Sequence, residues 1–255
     1  MNISVIIPTK NRHKLLKSAI NSVIKQKDKP YEVIVVDGSS DNETTLKNKE
    51  FTENKGFKHI KQDLKKHKGV AGARNQAASN TNGKYLSFLD DDDIWLDEYL
   101  TSVKKEIENG YNVIFTGIYK KKEDKIFEYK IPPINISKDD LLVRNPGIQG
   151  SNMTIKKTFF ELINGFDDLN FSHIFEDSDI MLRALNNSEL KYKSIQKFLV
   201  VYLSHTGKRL SMTKTPLQKR GIELFYKQYK IYMTEKQKDN FIKRSMQLWQ
   251  TKITK

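Results

Sequence analysis

The feature that most constrains this chain is a regular alternation of short apolar runs and helical segments over its first 93 residues. The apolar runs, of which the third is weak, are residues 3–7, 31–36, 57–60 and 85–89. Continuous runs of this length are typical of strands buried on both faces. The segments with helical spacing or composition are residues 12–25, 42–54 and 70–79. The alternation predicts an α/β fold with a mostly parallel sheet between layers of helices.

Polar loops follow the first, second and fourth predicted strands. They are residues 8–12, 37–41 and 90–93. Because the carboxyl ends of parallel strands meet at one edge of a sheet, where ligands of such folds bind, we expect these loops to converge. The third loop is four aspartates, and adjacent carboxylates repel one another unless a cation or the loop separates them. The run predicts either a site for a divalent cation and a nucleotide or a solvated turn capping a helix that begins near Trp95.

Two further segments have both a chemical and a structural interpretation. Residues 69–75 place glycines and Arg74 beside a helix start, which suits a phosphate group and equally suits a surface helix that begins with glycine. Glu176 and Asp177 precede an amphipathic helix, where a carboxylate can act as a general base or cap the helix N-terminus. The residues alone leave both alternatives open.

The C-terminal part of the chain is predicted to form two basic helices from Thr215 onward. Residues 206–255 carry +10 of the formal net charge of +14. Such an excess of positive charge favours binding to nucleic acid, to anionic lipid or to an acidic polymer. The alternative is that the basic residues only form the solvated face of a helix. The face expected to pack on the body or on a second subunit contains Leu224, Phe225, Ile231 and Phe241. The face expected to meet an anionic surface contains Lys219, Arg220, Lys227, Lys230, Lys243 and Arg244.

Composition excludes several classes of protein. The chain has no cysteine, which excludes disulfides and thiolate metal sites and fits a reducing cytosol. Its 13 Phe and 11 Tyr are too many aromatic residues for a chain disordered throughout. No apolar stretch reaches the roughly 18 residues of a membrane-spanning helix, and the N-terminus lacks the basic flank of a signal peptide. We therefore expect a cytoplasmic protein.

The order and spacing of the polar motifs resemble those of family 2 inverting glycosyltransferases. The matching segments are residues 4–12, 33–41, 72–75, 83–95, 150–153, 165–167 and 176–183. The resemblance implies a Rossmann-like GT-A domain over residues 1–211. Within it, residues 1–93 would form the nucleotide-sugar-binding half and residues 94–211 the acceptor half. Residues 212–255 would then be a basic C-terminal helical extension.

The resemblance also implies a role for each matching residue. The residues expected around the donor nucleotide are Pro8, Thr9, Arg12, Asp37, Ser39, Arg74, Asp90 and Asp91. Asp92, the second acid of an Asp-x-Asp unit, would hold a metal ion together with His205, although Asp91 and Asp93 have the same spacing. Asp177 would be the catalytic base. The residues expected on the acceptor side are Glu176, Ser151 and Asn152.

The implied reaction moves a sugar from a nucleotide diphosphate, typically UDP, to a hydroxyl of a cell-surface glycan or its lipid-linked precursor. It inverts the anomeric configuration and uses a divalent metal, with Mn²⁺ preferred over Mg²⁺ because a histidine ligand suits a transition metal. The expected partners are the donor, the acceptor and, through residues 212–255, an anionic membrane at the inner face of the cell; a second copy of the chain is a further candidate.

Two other functions remain as alternatives. A sugar-phosphate nucleotidyltransferase shares this fold, but its first loop is rich in glycine, unlike residues 8–12. A nucleic-acid-binding protein with a degenerate enzyme fold would explain the basic tail. The acids of the catalytic loops are intact, however, so we expect no nucleic acid.

Overall fold

The computed structural model describes residues 2–122, 125–203, 215–251 and 253. The strands are β1 Ile3–Thr9, β2 Glu32–Asp37, β3 Lys58–Lys61, β4 Tyr85–Phe88, β5 Asp93–Trp95, β6 Val113–Lys122, β7 Lys125–Lys130, β8 Met153–Lys156 and β9 Tyr192–Leu203. The α-helices are α1 His13–Ile24, α2 Asn42–Glu53, α3 Gly69–Ser79, α4 Tyr99–Glu108, α5 Lys138–Leu142, α6 Lys157–Leu162, α7 Glu176–Leu185, α8 Pro216–Tyr229 and α9 Glu235–Trp249.

The strands form one sheet with the order β3-β2-β1-β4-β8-β6-β9-β5, and β7 pairs with β6 at the side. The first four strands are parallel, with Val5 opposite Val33 on one side and Ser87 on the other. Strand β8 enters antiparallel between β4 and β6, while β6 and β9 are parallel. The α/β class and the parallel N-terminal half are confirmed, and the second half of the sheet is mixed.

The sheet is covered on both faces, as the uninterrupted apolar runs predict. All seven residues of β1 are buried. Because successive side chains of a strand point to opposite faces, Val5 and Ile7 pack in one core with α1 and α4. Ile6 packs in the second core, together with side chains of α3, α6 and α7. Strand β1 is therefore packed on both faces, which fixes the position of the loop that follows it.

The acidic run does not cap a helix at Trp95. Residues Asp93–Trp95 form strand β5, with Asp93 opposite Tyr202 of β9, and the helix begins only at Tyr99. The buried indole of Trp95 stacks on the Tyr99 ring at 3.9 Å, and its Nε1 donates to the Ser151 carbonyl at 2.7 Å. These contacts hold the segment extended. The alternative prediction, that the acidic run caps a helix beginning near Trp95, is therefore wrong.

The two predicted tail helices are present and belong to the larger core. Thr215 and Thr234 cap α8 and α9 by accepting hydrogen bonds from backbone N–H groups three residues ahead, a stabilising arrangement at a helix N-terminus. Phe225 and Phe241 are buried, as expected. Ile231 was expected on the packing face, but it lies in the short turn after α8 and is 76% exposed.

Within the described ranges, no helix has the length and apolar character needed to cross a membrane.

Candidate active site

The polar loops after β1 and β4 meet through direct side-chain contacts. Thr9 Oγ1 donates to Asp91 Oδ2 at 2.7 Å. Arg12 Nη1 lies 3.1 Å from Asp91 Oδ1 and 2.9 Å from Asp92 Oδ2, so one guanidinium serves two carboxylates. Pro8 is buried near the end of β1. Proline has no backbone N–H to donate, and none is required here because the pairing of β1 with β4 ends at Ile6. The predicted convergence at the carboxyl edge of the sheet is present here.

The loop after β2 joins the same edge. Asn11 N donates to Ser39 Oγ at 2.8 Å, and Gly38 N donates to the Thr9 carbonyl at 2.9 Å. Asp37 is fully buried and accepts from Ser39 N at 2.7 Å, from Asn48 Nδ2 at 2.9 Å and from His59 Nε2 at 3.3 Å. The Asp37 carboxylate is thus held in one orientation by three elements.

The pKa values of two buried acids, Asp37 and Asp91, are shifted in opposite directions. Burial alone would raise the pKa of Asp37, but the hydrogen bonds from His59, Ser39 and Asn48 outweigh it and the pKa is lowered. At Asp91, burial and then the neighbouring charge of Asp92 raise the pKa to about 7, against the opposing effect of Arg12 and Thr9. Asp37 is therefore a fixed anion, whereas burial and the neighbouring Asp92 disfavour the charged form of Asp91.

Arg74 is the charged centre of the site. It lies on α3 with a side chain only 2% exposed, and its Nη2 is 2.7 Å from Asp90 Oδ1. Its Nη1 is 3.4 Å from Asp177 Oδ1 and 4.0 Å from Glu176 Oε1. These three acids raise the pKa of the guanidinium although burial opposes them. One buried cation therefore connects the end of β4 to the start of α7.

The guanidinium of Arg74 is closely packed against its neighbours. The guanidinium carbon lies 5.2 Å from the centroid of the Phe166 ring, within the range of a cation–π contact. A Cβ added at Gly150 would overlap the guanidinium. Glycine at position 150 therefore permits the close approach of the backbone to Arg74.

Asp177 and Glu176 occupy the first turn of α7. The residue before them, Phe175, has φ of 66°, in the left-handed region, and the helix has no side-chain cap. Burial raises the pKa of Asp177 well above its ordinary value, and Arg74 and a hydrogen bond from the Gly150 backbone only partly oppose it. Burial also raises the pKa of Glu176. Asp177 does not act as the cap here, and its raised pKa suits a proton acceptor.

Ser151 and Asn152 lie beneath this site and are both fully buried. Ser151 Oγ accepts from Asp90 N at 3.0 Å and donates to Asp93 Oδ2 at 2.5 Å. Asn152 Nδ2 donates to the carbonyls of Thr116 and Gly147 at 2.6 and 2.9 Å. Both side chains fix the loop that carries Gly150. His205 lies outside the described residues.

The acidic loop fits a divalent cation held mainly by substrate. The described part of the chain has no group of three or more acidic or histidine side chains placed to bind one ion. Asp92, with 19% of its side chain exposed, is the more accessible member of the pair that shares Arg12. Such ions often take one or two carboxylates and complete their shell with water and substrate phosphates. Asp93, held by Ser151 and buried, is a poorer candidate than Asp92.

Comparison with known proteins identifies the family. The model of the family described as Glycosyl transferase family 2 matches residues 4–183. The chain belongs to this family. The matched range contains the Arg74 cluster, which consists of Arg74 and its acidic partners Asp90, Glu176 and Asp177, together with the loop after β1.

Relatives of this family 2 glycosyltransferase include proteins named for lipid-linked acceptors. One from Escherichia coli, UDP-Glc:alpha-D-GlcNAc-diphosphoundecaprenol beta-1,3-glucosyltransferase WfgD, is 29% identical over 64% of this chain and 62% of its own length. One from Campylobacter jejuni, GalNAc(5)-diNAcBac-PP-undecaprenol beta-1,3-glucosyltransferase, is 32% identical over 49% of this chain and 40% of its own. The chain thus spans less than two thirds of either relative.

Solved structures support the fold. TarS of S. aureus, residues 1–349 in complex with UDP-GlcNAc, covers 96% of this chain and 73% of its own with a TM-score of 0.68 and 21% identity. The mannosyltransferase PcManGT of Pyrobaculum calidifontis, in complex with GDP-Man and Mn²⁺, covers 92% of this chain and 65% of its own with a TM-score of 0.62 and 17% identity. The family 2 glycosyltransferase therefore has the GT-A fold expected from its motifs.

Some supporting residues of the site were not singled out from the sequence. Asn48 and His59 fix Asp37 from a polar helix and a weak strand, and nothing in those segments signals the contact. Trp95 supports Ser151, and its place at the end of the acidic motif is a signal that could have indicated this role.

Proposed function

We propose that this chain transfers a sugar from a UDP-sugar to a hydroxyl of a lipid-linked glycan precursor, with inversion at the anomeric carbon. The observation that carries the proposal is the buried Arg74, which brings the donor-side Asp90 and the acceptor-side Asp177 to one cation. The name of the E. coli relative supplies the donor class, a UDP-sugar, and the names of the E. coli and C. jejuni relatives both supply an undecaprenol-linked diphosphate acceptor.

In the proposed reaction, the loops after β1, β2 and β4 hold the nucleotide, with Asp37 at the base and Asp90 and Asp91 near the ribose. Asp177 takes the proton of the acceptor hydroxyl, and the oxygen attacks the anomeric carbon from the face opposite the leaving diphosphate. Burial favours the protonated form of Asp177, so its carboxylate is a stronger base than an exposed aspartate. Arg74 keeps it in place while its charge changes.

We also propose a divalent cation at Asp92, with Mn²⁺ preferred over Mg²⁺. Bound there, the cation would act as a Lewis acid that neutralises the charge developing on the diphosphate. The support is the position of Asp91 and Asp92 at the carboxyl edge of the sheet, where phosphates are expected, with Asp92 the more exposed of the two at 19%.

Replacement of the proposed base tests the reaction. We expect Asp177→Asn to bind UDP nearly as the wild type does and to lose transfer by a factor of roughly 10² to 10⁴, the usual contribution of a positioned base. Asparagine keeps the shape of the side chain, so folding should survive. UDP release from UDP-glucose or UDP-GlcNAc, with GlcNAc-diphosphoundecaprenol as acceptor, measures turnover, and a thermal-shift titration with UDP measures binding.

The exposed Glu161→Gln on α6 is the matched control and should turn over normally. In the wild type, turnover should fall as the pH drops through the raised pKa of Asp177, because only the carboxylate accepts a proton. This acid limb should therefore lie at a higher pH than an ordinary aspartate would give. Near-normal turnover of Asp177→Asn would remove Asp177 from the role of base.

Metal removal tests the second proposal. UDP should raise the melting temperature more with Mn²⁺ than after chelation, because a ligand that binds only the folded state stabilises it by mass action. We expect Asp92→Ala to lose the metal-dependent part of this shift, and the exposed Asp97→Ala to keep it. An Asp92→Ala protein with the full metal response would place the ion elsewhere.

We further propose that the tail attaches the protein to the inner face of the cell membrane, where a lipid-linked acceptor lies. Several large apolar side chains of α8, α9 and the turn between them are exposed, and so are Lys219, Arg220, Lys227 and Lys243. The apolar ones are Leu217, Ile231, Tyr232, Met246 and Leu248. Such a mixture of basic and apolar groups suits the interface of an anionic bilayer.

Liposome co-sedimentation tests this attachment. We expect pelleting with anionic vesicles at low salt and its loss at high salt, because each basic residue near the surface contributes about 1 kcal/mol. The double variant Lys219→Glu, Arg220→Glu should pellet less, while the control Lys14→Glu, Lys17→Glu on α1 should not change. Equal pelleting with neutral and anionic vesicles, or none, would exclude the membrane proposal.

A further inference from the structure

An aromatic cluster from the tail surrounds the residue that precedes the Glu176–Asp177 pair. The Phe175 ring stacks on Phe225 of α8, with centroids 4.2 Å apart and planes at 20°. Phe241 and Trp249 of α9 lie 5.9 and 5.8 Å away from the same ring. The two C-terminal helices therefore enclose Phe175 from one side.

The backbone of Phe175 is in a conformation that its side chain does not favour. Its φ of 66° is in the left-handed region, which is unfavourable for a bulky residue other than glycine. Such conformations persist where the surrounding structure imposes them, and they concentrate at functional sites. Phe175 also starts the helix, since its carbonyl accepts from Asp179 N at 2.8 Å. The stacking on α8 and α9 thus fixes the residue that sets where α7 begins.

A second contact joins the tail to α7 one turn further along. Tyr229 of α8 donates from its hydroxyl to Asp179 Oδ1 at 2.6 Å. Arg183 binds the other oxygen of the same carboxylate through Nη2 at 2.6 Å and Nε at 3.0 Å. Asp179 is fully buried, and both of its oxygens accept hydrogen bonds that hold the helix.

We propose that α8 and α9 position the catalytic carboxylates, with Phe175 and Tyr229 as positioning residues that act through the start of α7. The inference rests on the proposed function, since it assumes that Asp177 accepts the proton. Helices α8 and α9 would then support the site of sugar transfer, in addition to the membrane attachment proposed above.

The test compares two tyrosine-to-phenylalanine variants of the full chain. Tyr229→Phe removes the hydroxyl that reaches Asp179, while Tyr226→Phe removes a buried hydroxyl that has no hydrogen-bond partner among the described residues. Both side chains are buried on α8 and both keep their ring. The kcat and the donor KM are measured from UDP release in the assay above, and stability is measured by thermal unfolding.

We expect Tyr229→Phe to lower kcat roughly tenfold, in the range expected for loss of one hydrogen bond to a charged group, with a donor KM and UDP binding close to those of the wild type. Tyr226→Phe should leave the kcat, the donor KM and UDP binding unchanged. A merely structural role would lower stability in Tyr229→Phe without this separation of kcat from KM. Equal kcat in the two variants would overturn the inference.

A second pair of variants tests the same inference if Tyr229→Phe does not fold. Phe175→Leu and Phe171→Leu both reduce the aromatic cluster, because each ring contacts Phe225, but only Phe175 adjoins the carboxylate pair. Phe175→Leu should lower kcat at least tenfold more than Phe171→Leu does; equal losses at equal melting temperature would overturn the inference. Turnover retained in Asp177→Asn would instead overturn the proposed function, and the inference with it.

Discussion

The ion cluster around Arg74 is the interaction on which the site depends. A guanidinium that is 2% exposed loses most of its hydration, and a buried charge is tolerated only when it is well paired. Here the partners come from two halves of the molecule, Asp90 at the end of β4 and Asp177 at the start of α7. Because Gly150 closes on the same guanidinium, folding of the second half places Glu176 and Asp177 against Asp90 at the carboxyl edge of the sheet.

This arrangement also explains why Asp177, the base that we propose, can accept a proton although it lies beside a cation. Arg74 favours the charged form of Asp177, but burial and the neighbouring charges of Glu176 and Asp90 disfavour it, and the pKa is raised. One cation shared among three acids holds Asp177 in place without fully stabilising its ionised form. The carboxylate is thus oriented and basic at once, which are the two properties that proton transfer requires.

The sequence predicted what local patterns can encode. The run at residues 3–7 and the acids at 90–93 indicated a parallel sheet with a polar edge, and the motif order indicated the family. The sequence could not predict contacts between distant segments, such as His59 with Asp37 or Tyr229 with Asp179. It also misplaced Trp95 in a helix, because helical periodicity does not reveal that pairing with β9 and stacking on Tyr99 keep this residue extended.

The measurement that tests the account most directly is the coupling free energy between Arg74 and Asp177. Urea unfolding of the wild type, Arg74→Met, Asp177→Asn and the double variant gives this quantity, with Arg74 and the exposed Asp41 as a distant control pair. We predict a coupling of about 1–3 kcal/mol for Arg74 with Asp177 and additive effects for the control. Additive effects of Arg74→Met and Asp177→Asn would contradict the claim that this cation joins the two halves of the site.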